Sequence, residues 1–193
     1  MRYAYLIKEW NAKVNLISRK DIQRIFTYHI IDSIAVAPLI PFNARSFDFG
    51  SGAGLPGIPL TIIRPDLNML LIESVKKKCR FLQLAITELN LGNAQVLCER
   101  AEVLQPLNCD IILSRLTGPW DKTLRYAVRH LKPSGAIILY KNPNVLEKIN
   151  EKLLQKLNLA ISRTIDLKLP LSSVPRRFVV LNSSSGGPLE DTI

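Results

Sequence analysis

The stretch Ser46-Phe47-Asp48-Phe49-Gly50-Ser51-Gly52-Ala53-Gly54-Leu55-Pro56-Gly57 decides the fold. Phe47 and Phe49 flank Asp48 with the alternation of a β-strand. Gly50, Gly52 and Gly54 then remove every second Cβ, so the backbone can turn sharply and a ligand can lie against it. Pro56 suits the first turn of a helix, where a missing N–H costs nothing. Gly57 to Arg64 fit a short helix that Pro65 and Asp66 end. Strand, glycine turn and helix in that order open a parallel α/β sheet.

Two cofactors suit this segment. Gly52-x-Gly54-x-x-Gly57 is the dinucleotide fingerprint, and Glu73 follows Gly52 by 21 residues (73 − 52), close to the spacing of an acid that grips a ribose. Asp48-x-Gly50-x-Gly52-x-Gly54 is the first motif of enzymes that bind S-adenosylmethionine (SAM). Electrostatics favour the second. A pyrophosphate is anionic and wants bare N–H groups and a helix N-terminus, and Asp48 at the strand's carboxyl end repels it. SAM carries a sulfonium and an ammonium and no phosphate, so a carboxylate beside the loop suits it.

Composition sets the bounds. The 193 residues make about one domain, with 47% hydrophobic and 22% charged residues, a globular balance. No run of about 18 apolar residues exists to span a membrane, and the N-terminus has no secretory pattern. Cys79, Cys98 and Cys109 are scattered and odd in number, and with two histidines they argue against a disulfide framework or a metal site and for a reducing, cytoplasmic setting. The net charge of +10 points to a polyanionic partner, nucleic acid above all.

Before the glycine segment, residues 2–16 read as a helix with Leu6, Trp10 and Val14 on one face. Asp21 suits the N-cap of a second helix that runs to Pro38 and carries His29 on or beside its apolar face. After it, strands and helices alternate. Met69-Leu70-Leu71-Ile72 is a strand for burial on both faces, closed by Glu73. Ligands sit beyond the carboxyl ends of such strands, so Asp48 and Glu73 should share one site.

Ser74 is placed to cap the next helix, whose stripe is Val75, Cys79, Leu82, Ile86 and Leu89 and whose end is Gly92. Its first turn holds Lys76, Lys77 and Lys78, which oppose the helix dipole and suggest a surface for phosphate. Residues 95–98 and 109–113 are further strands, the second ending in Ser114-Arg115. A helix from Trp120 to Leu131, a turn at 132–135, a strand 136–140 with Lys141 at its end, a helix 145–157 and a strand pair 161–169 and 177–182 complete the core. The tail 183–193 is rich in Ser, Gly and Pro.

The pieces Trp10-Asn11, Asn15-Leu16, His29-Ile30-Ile31-Asp32-Ser33, Phe47 to Leu60, Arg64-Pro65, Lys77-Lys78-x-Arg80-Phe81-Leu82, Arg100-Ala101-Glu102, Ser114-Arg115 and Leu131-Lys132-Pro133-x-Gly135 resemble, in order, the small-subunit rRNA guanine-N7 methyltransferases (RsmG, also called GidB). The resemblance implies a class I SAM-dependent methyltransferase fold: a mostly parallel Rossmann-like sheet with helices on both faces and an N-terminal helical cap. It sets the cap at 1–40, the core at 46–182 and a tail beyond.

SAM is the implied donor, a guanine in the decoding-region loop of 16S rRNA the acceptor, and the small ribosomal subunit the partner, met by a monomer. The cofactor contacts carried over are Gly50, Leu55, Ala101, Glu102 and Arg115; the residues themselves add Asp48, Gly52, Gly54 and Glu73. Arg115 is a candidate either for the cofactor pocket or for orienting the guanine. His29, Lys76, Lys77 and Lys141 are candidates for the RNA. Guanine N7 has a lone pair and no proton, so no general base is expected. The competing expectations are an NAD-linked oxidoreductase, a methyltransferase with a non-RNA substrate, and a non-catalytic ribosome-assembly factor. After Arg115 the family usually has Ala-Phe and small residues, where this chain has Leu116-Thr117-Gly118-Pro119-Trp120.

Overall fold

The computed structural model describes residues 2–115, 120–144 and 150–184. One sheet of seven strands organises them: β1 (Arg45–Phe49), β2 (Asn68–Ile72), β3 (Ala94–Leu97), β4 (Cys109–Arg115), β5 (Leu131–Lys141), β6 (Leu159–Lys168) and β7 (Pro175–Ser183). Their order is β3-β2-β1-β4-β5-β7-β6. The first five run parallel, and β7 lies antiparallel between β5 and β6. The chain reverses direction across the sheet between β1 and β4, and in such sheets a ligand cleft opens at the carboxyl ends beside that switch.

Alternation along the strands builds two cores. On β2, Met69 and Leu71 face one layer while Leu70 and Ile72 face the other, and β4 divides Ile111 and Leu113 from Ile112 in the same way. The first layer holds α1 (Arg2–Asn11), α3 (Gly57–Ile63) and α4 (Lys76–Glu88), through Leu6, Ile58 and Phe81 among others. The second holds α5 (Trp120–Ala127) and α6 (Glu151–Lys156), through Leu124 and Leu154. Among the described residues no helix is long and apolar enough to cross a membrane.

The cap departs from the expected pair of helices. The first ends at Asn11, whose Oδ1 accepts from the N–H groups of Leu16 and Ile17 and so pulls the chain out of helix. The second is broken into a 3₁₀ turn (Arg19–Arg24), a π turn (Phe26–Ile30), the short α2 (Ile31–Ile34) and another 3₁₀ turn (Ala37–Leu39). Side chains compete for its carbonyls: Ser33 Oγ donates to His29 O at 2.6 Å and Arg115 donates to Tyr28 O at 3.3 Å. Asp21 accepts from Ser18 Oγ instead of capping the backbone.

Other boundaries shift for similar reasons. Val75, not Ser74, stands at the N-cap of α4, and Asn90, at φ 52°, turns the chain after it. Leu131 begins β5, so residues 132–135 belong to a strand rather than a turn. Gly135 is needed there, because a Cβ would lie 2.9 Å from the carbonyl oxygens of Cys109 and Asp110. The strand pair at the end runs longer than expected, at Leu159–Lys168 and Pro175–Ser183. The expected helix 145–157 appears as α6, capped by Asn150; its first part, the segment 116–119 and most of the tail lie outside the described residues.

The cysteines give the plainest correction. Cys79 in the first turn of α4 and Cys98 just past β3 form a disulfide, with Cα atoms 5.7 Å apart, while Cys109 is free and buried. The parallel pairing of β2 and β3 brings the ends of these two elements together, which scatter along the chain conceals.

Candidate active site

The glycine segment folds as a cradle whose donors are already spoken for. Gly50, Gly52 and Gly54 all have positive φ, at 69°, 58° and 85°. Asp48, at 1% exposure, tucks beneath the loop, and its Oδ2 accepts from Gly57 N–H at 3.0 Å. A Cβ on Gly57 would lie 2.8 Å from that Oδ2 and 2.3 Å from Leu71 Cδ2, so only glycine lets the start of α3 approach β1 and β2 this closely. Burial drives the Asp48 carboxyl up to about 7; the Gly57 N–H and the positive charge of Arg115 only partly oppose it. Its Oδ1 is buried without a hydrogen bond.

Glu73, at the end of β2, is the second carboxylate. Its Oε2 accepts from Gly52 N–H at 3.0 Å, and its Oε1 accepts from the N–H groups of Ser74 and Val75 at 2.8 Å each. Two carboxylates therefore hold the loop from both sides. This bears on the choice between cofactors. A pyrophosphate would look for the Gly52 and Gly57 N–H groups, and both are bound to carboxylates.

A cleft of about 200 Å³ opens at the carboxyl ends of β1 and β2. Gly50, Glu73, Ala101 and Glu102 line it, four of the residues expected at the cofactor. Ala101 and Glu102 are held there from below: the ring Nε2 of His130 lies 2.9 Å from Ala101 O, and Arg129 donates to Glu102 O at 2.6 Å. Sequence reasoning missed Glu99 and, on α5, Lys122, Thr123 and Tyr126, which also line the cleft. The last three stand at i, i+1 and i+4, one face of a helix, and that spacing was the available signal.

The fit to SAM rests on this lining. Glu73, Glu99 and Glu102 outnumber the cations Arg100 and Lys122, so the cleft favours a cationic ligand bearing hydroxyls over a phosphate-bearing one. Asp48, Gly52, Gly54 and Leu55 shape the cradle behind the cleft rather than its wall.

The remaining candidates lie elsewhere. Arg115, at the end of β4 and 7% exposed, turns from the cleft towards the cap. It donates to His29 Nδ1 at 2.7 Å and places Nε 2.9 Å from Asp32 Oδ2, a charge contact rather than an aligned hydrogen bond. Burial, then the neighbouring Arg115, lowers the pKa of His29, which keeps the ring neutral with Nδ1 as acceptor. Lys76 and Lys77 are exposed on the first turn of α4. Lys141 lies over the Trp120 ring, its Nζ 4.7 Å from the centroid.

A family model described as GidB, rRNA small subunit methyltransferase G, matches residues 1–177. A ribosomal RNA small subunit methyltransferase G from Chlorobium limicola is 40% identical over 153 residues, covering 78% of this chain and 70% of its own length. One from Chlorobaculum tepidum is 35% identical and covers 92% of this chain and 83% of its own. Among solved structures, a SAM-dependent methyltransferase from Aquifex aeolicus matches with a TM-score of 0.62 at 14% identity, over 86% of this chain and 98% of that one. M. jannaschii TYW2 in complex with AdoMet matches at 0.63 and 17%, over 88% and 77%. At such identities the structures show a shared fold.

Proposed function

The chain belongs to the GidB family, the rRNA small subunit methyltransferases G, and from that premise we propose that it methylates N7 of one guanine in the decoding-region loop of 16S rRNA. It is a SAM-dependent rRNA methyltransferase of class I fold. The observation that carries the reading is the acid-lined cleft at the carboxyl ends of β1 and β2, in a chain that matches the family over nearly its whole length.

SAM, when bound, supplies an electrophilic methyl group on a sulfonium. Glu73 and Glu102 would hold the hydroxyls and the positive charge of such a ligand, and the Gly50 turn would let it lie against backbone. Thr123 and Tyr126 on α5 line the same cleft. Guanine N7 presents a lone pair, so no side chain has to remove a proton. The residues have only to align acceptor and methyl at attack distance. Arg115 is too sealed to grip a base and serves under the cap, and Lys76, Lys77 and Lys141 meet phosphate around the rim. We place the reaction in the cytoplasm, on the small ribosomal subunit, carried out by a monomer without a metal ion.

The test is methyl transfer from labelled SAM to small ribosomal subunits that lack 7-methylguanosine, with the modified base mapped by chain cleavage. Label at a single guanine in the decoding-region loop is the expected result. Label on another base or on protein overturns the substrate. No label and no SAM binding overturns the cofactor as well.

A further inference from the structure

Asp32 is a buried carboxylate that the proposed chemistry does not use. It is wholly sealed from solvent, yet two guanidinium groups converge on it. Arg176, at the start of β7, donates through Nε to Oδ1 at 2.5 Å and through Nη2 to Oδ2 at 2.9 Å. Arg115 brings Nε to within 2.9 Å of the same Oδ2. Further bonds run in parallel: Arg115 to His29 Nδ1 and Tyr28 O, Arg176 Nη1 to Lys141 O at 3.2 Å, and Tyr140 Oη to Ser33 O at 3.0 Å.

Apart from the Arg176–Lys141 bond, which ties β7 to β5, these contacts join one short stretch of the cap, residues 28–33, to one edge of the sheet. Arg115 closes β4, Tyr140 and Lys141 close β5, and Arg176 stands across from them because β7 runs antiparallel to β5. That is the edge on which β1 and β2 carry the cleft. On the rRNA methyltransferase reading, the acceptor base meets the methyl group at this same edge, since ligands of such sheets lie beyond the carboxyl ends of the strands. A bidentate carboxylate–guanidinium pair fixes orientation as well as distance, which apolar packing does not. The charges also do not cancel within the cluster. His29 is neutral and Asp21 lies 3.6 Å beyond it, so among the described residues Asp32 is the carboxylate that meets both arginines.

We propose that Asp32 is a positioning residue for methyl transfer: by holding Arg115 and Arg176 it fixes the cap over the carboxyl ends of β4 and β5, where the acceptor guanine docks. This rests on the rRNA methyltransferase reading above. Asp32 touches neither cofactor nor base, and acts through Arg115 and Arg176.

The experiment compares wild type, Asp32→Asn, Arg115→Gln and the double variant. For each it measures SAM affinity by calorimetry, steady-state methylation of unmodified small subunits, and the melting temperature. Assays run well below the lowest melting temperature. Asp32→Asn is expected to lower kcat/KM for subunits 10-fold or more while SAM affinity stays within about 3-fold of wild type. The double variant is expected to lose less than the two single losses multiplied together, because Asp32 and Arg115 belong to one network.

A folded Asp32→Asn with wild-type kinetics overturns the proposal, and so do additive losses in the double variant. A loss of SAM affinity that tracks the loss of melting temperature makes Asp32 merely structural and overturns it too. If Asp32→Asn does not fold, Arg176→Lys replaces it. That variant keeps the charge but loses the bidentate fork, and reduced kcat/KM with intact SAM binding supports the proposal while unchanged kinetics overturn it. A wild type that methylates nothing overturns the function reading, and this inference with it. An active wild type with an equally active variant overturns this inference alone.

Discussion

At Asp48 the fold keeps a carboxyl group away from water, and the group answers by holding its proton up to about pH 7. In the unfolded chain an aspartate loses that proton near 3.9. The folded pKa is the higher one, so the folded form binds the extra proton between those values. Stability from this group is fully present below about pH 4, falls as pH rises towards 7, and levels off above it. The full fall corresponds to roughly 4 kcal/mol as an upper limit. Urea denaturation of wild type and Asp48→Asn at several pH values checks this: the difference between the two curves should slope across that window and flatten above it.

The glycines divide just as sharply. Gly57→Ala should cost about 1–3 kcal/mol, because its Cβ meets Leu71 and Asp48, whereas Gly92→Ala should stay within about 0.5 kcal/mol, since nothing lies within 4 Å of its Cβ. Thermal melts of the two variants decide it. Asp48, the glycines and Glu73 were legible as a motif because strand, turn and acid recur at fixed spacing. That Glu73 has three backbone N–H groups to hold was not legible, since spacing does not say what a side chain bonds.

Among the elements, α4 carries the clearest conflict between local stability and use. Lys76, Lys77 and Lys78 crowd its N-terminal turn, where the helix dipole disfavours cations. Lys76→Glu with Lys77→Glu should stabilise the protein by about 0.3–1 kcal/mol for each change. The same pair should weaken RNA binding and flatten its dependence on salt. Chemical denaturation and a salt series of filter-binding curves read the two effects separately.

Strands and core helices were legible from period alone, β2 and α4 above all. The cap was not. Its apolar positions repeat at helical spacing, but α, π and 3₁₀ turns share that spacing closely. What selects among them is Arg115 and Ser33 bonding to the carbonyls of Tyr28 and His29, and Arg115 arrives from a distant strand. Lys122, Thr123 and Tyr126 escaped notice for a like reason: their helix is amphipathic, but only the folded sheet shows which polar residues turn to the cleft.

For the molecule as a whole, the Cys79–Cys98 disulfide closes a loop of 19 residues of separation, from the helix beside the cleft to the strand end before Glu99. A loop of that size contributes about 3 kcal/mol when oxidised. Thermal melts with and without a reductant should differ accordingly, and Cys98→Ser should melt the same either way.

The clamp on the cap spans farther still: Asp32 and Arg176 stand 144 positions apart. A ribosome synthesises this chain from its N-terminus, so Asp32 leaves the tunnel long before its partner exists. Arg115 arrives next, and the second arginine only with β7. Until β7 is made, Asp32 has Arg115 to close on but not its bidentate partner. The cofactor cleft, built from residues up to Tyr126, is complete first. The clamp between cap and sheet is therefore finished after the cleft, and a ribosome that stalls before residue 176 releases a cleft whose cap lacks its bidentate tie.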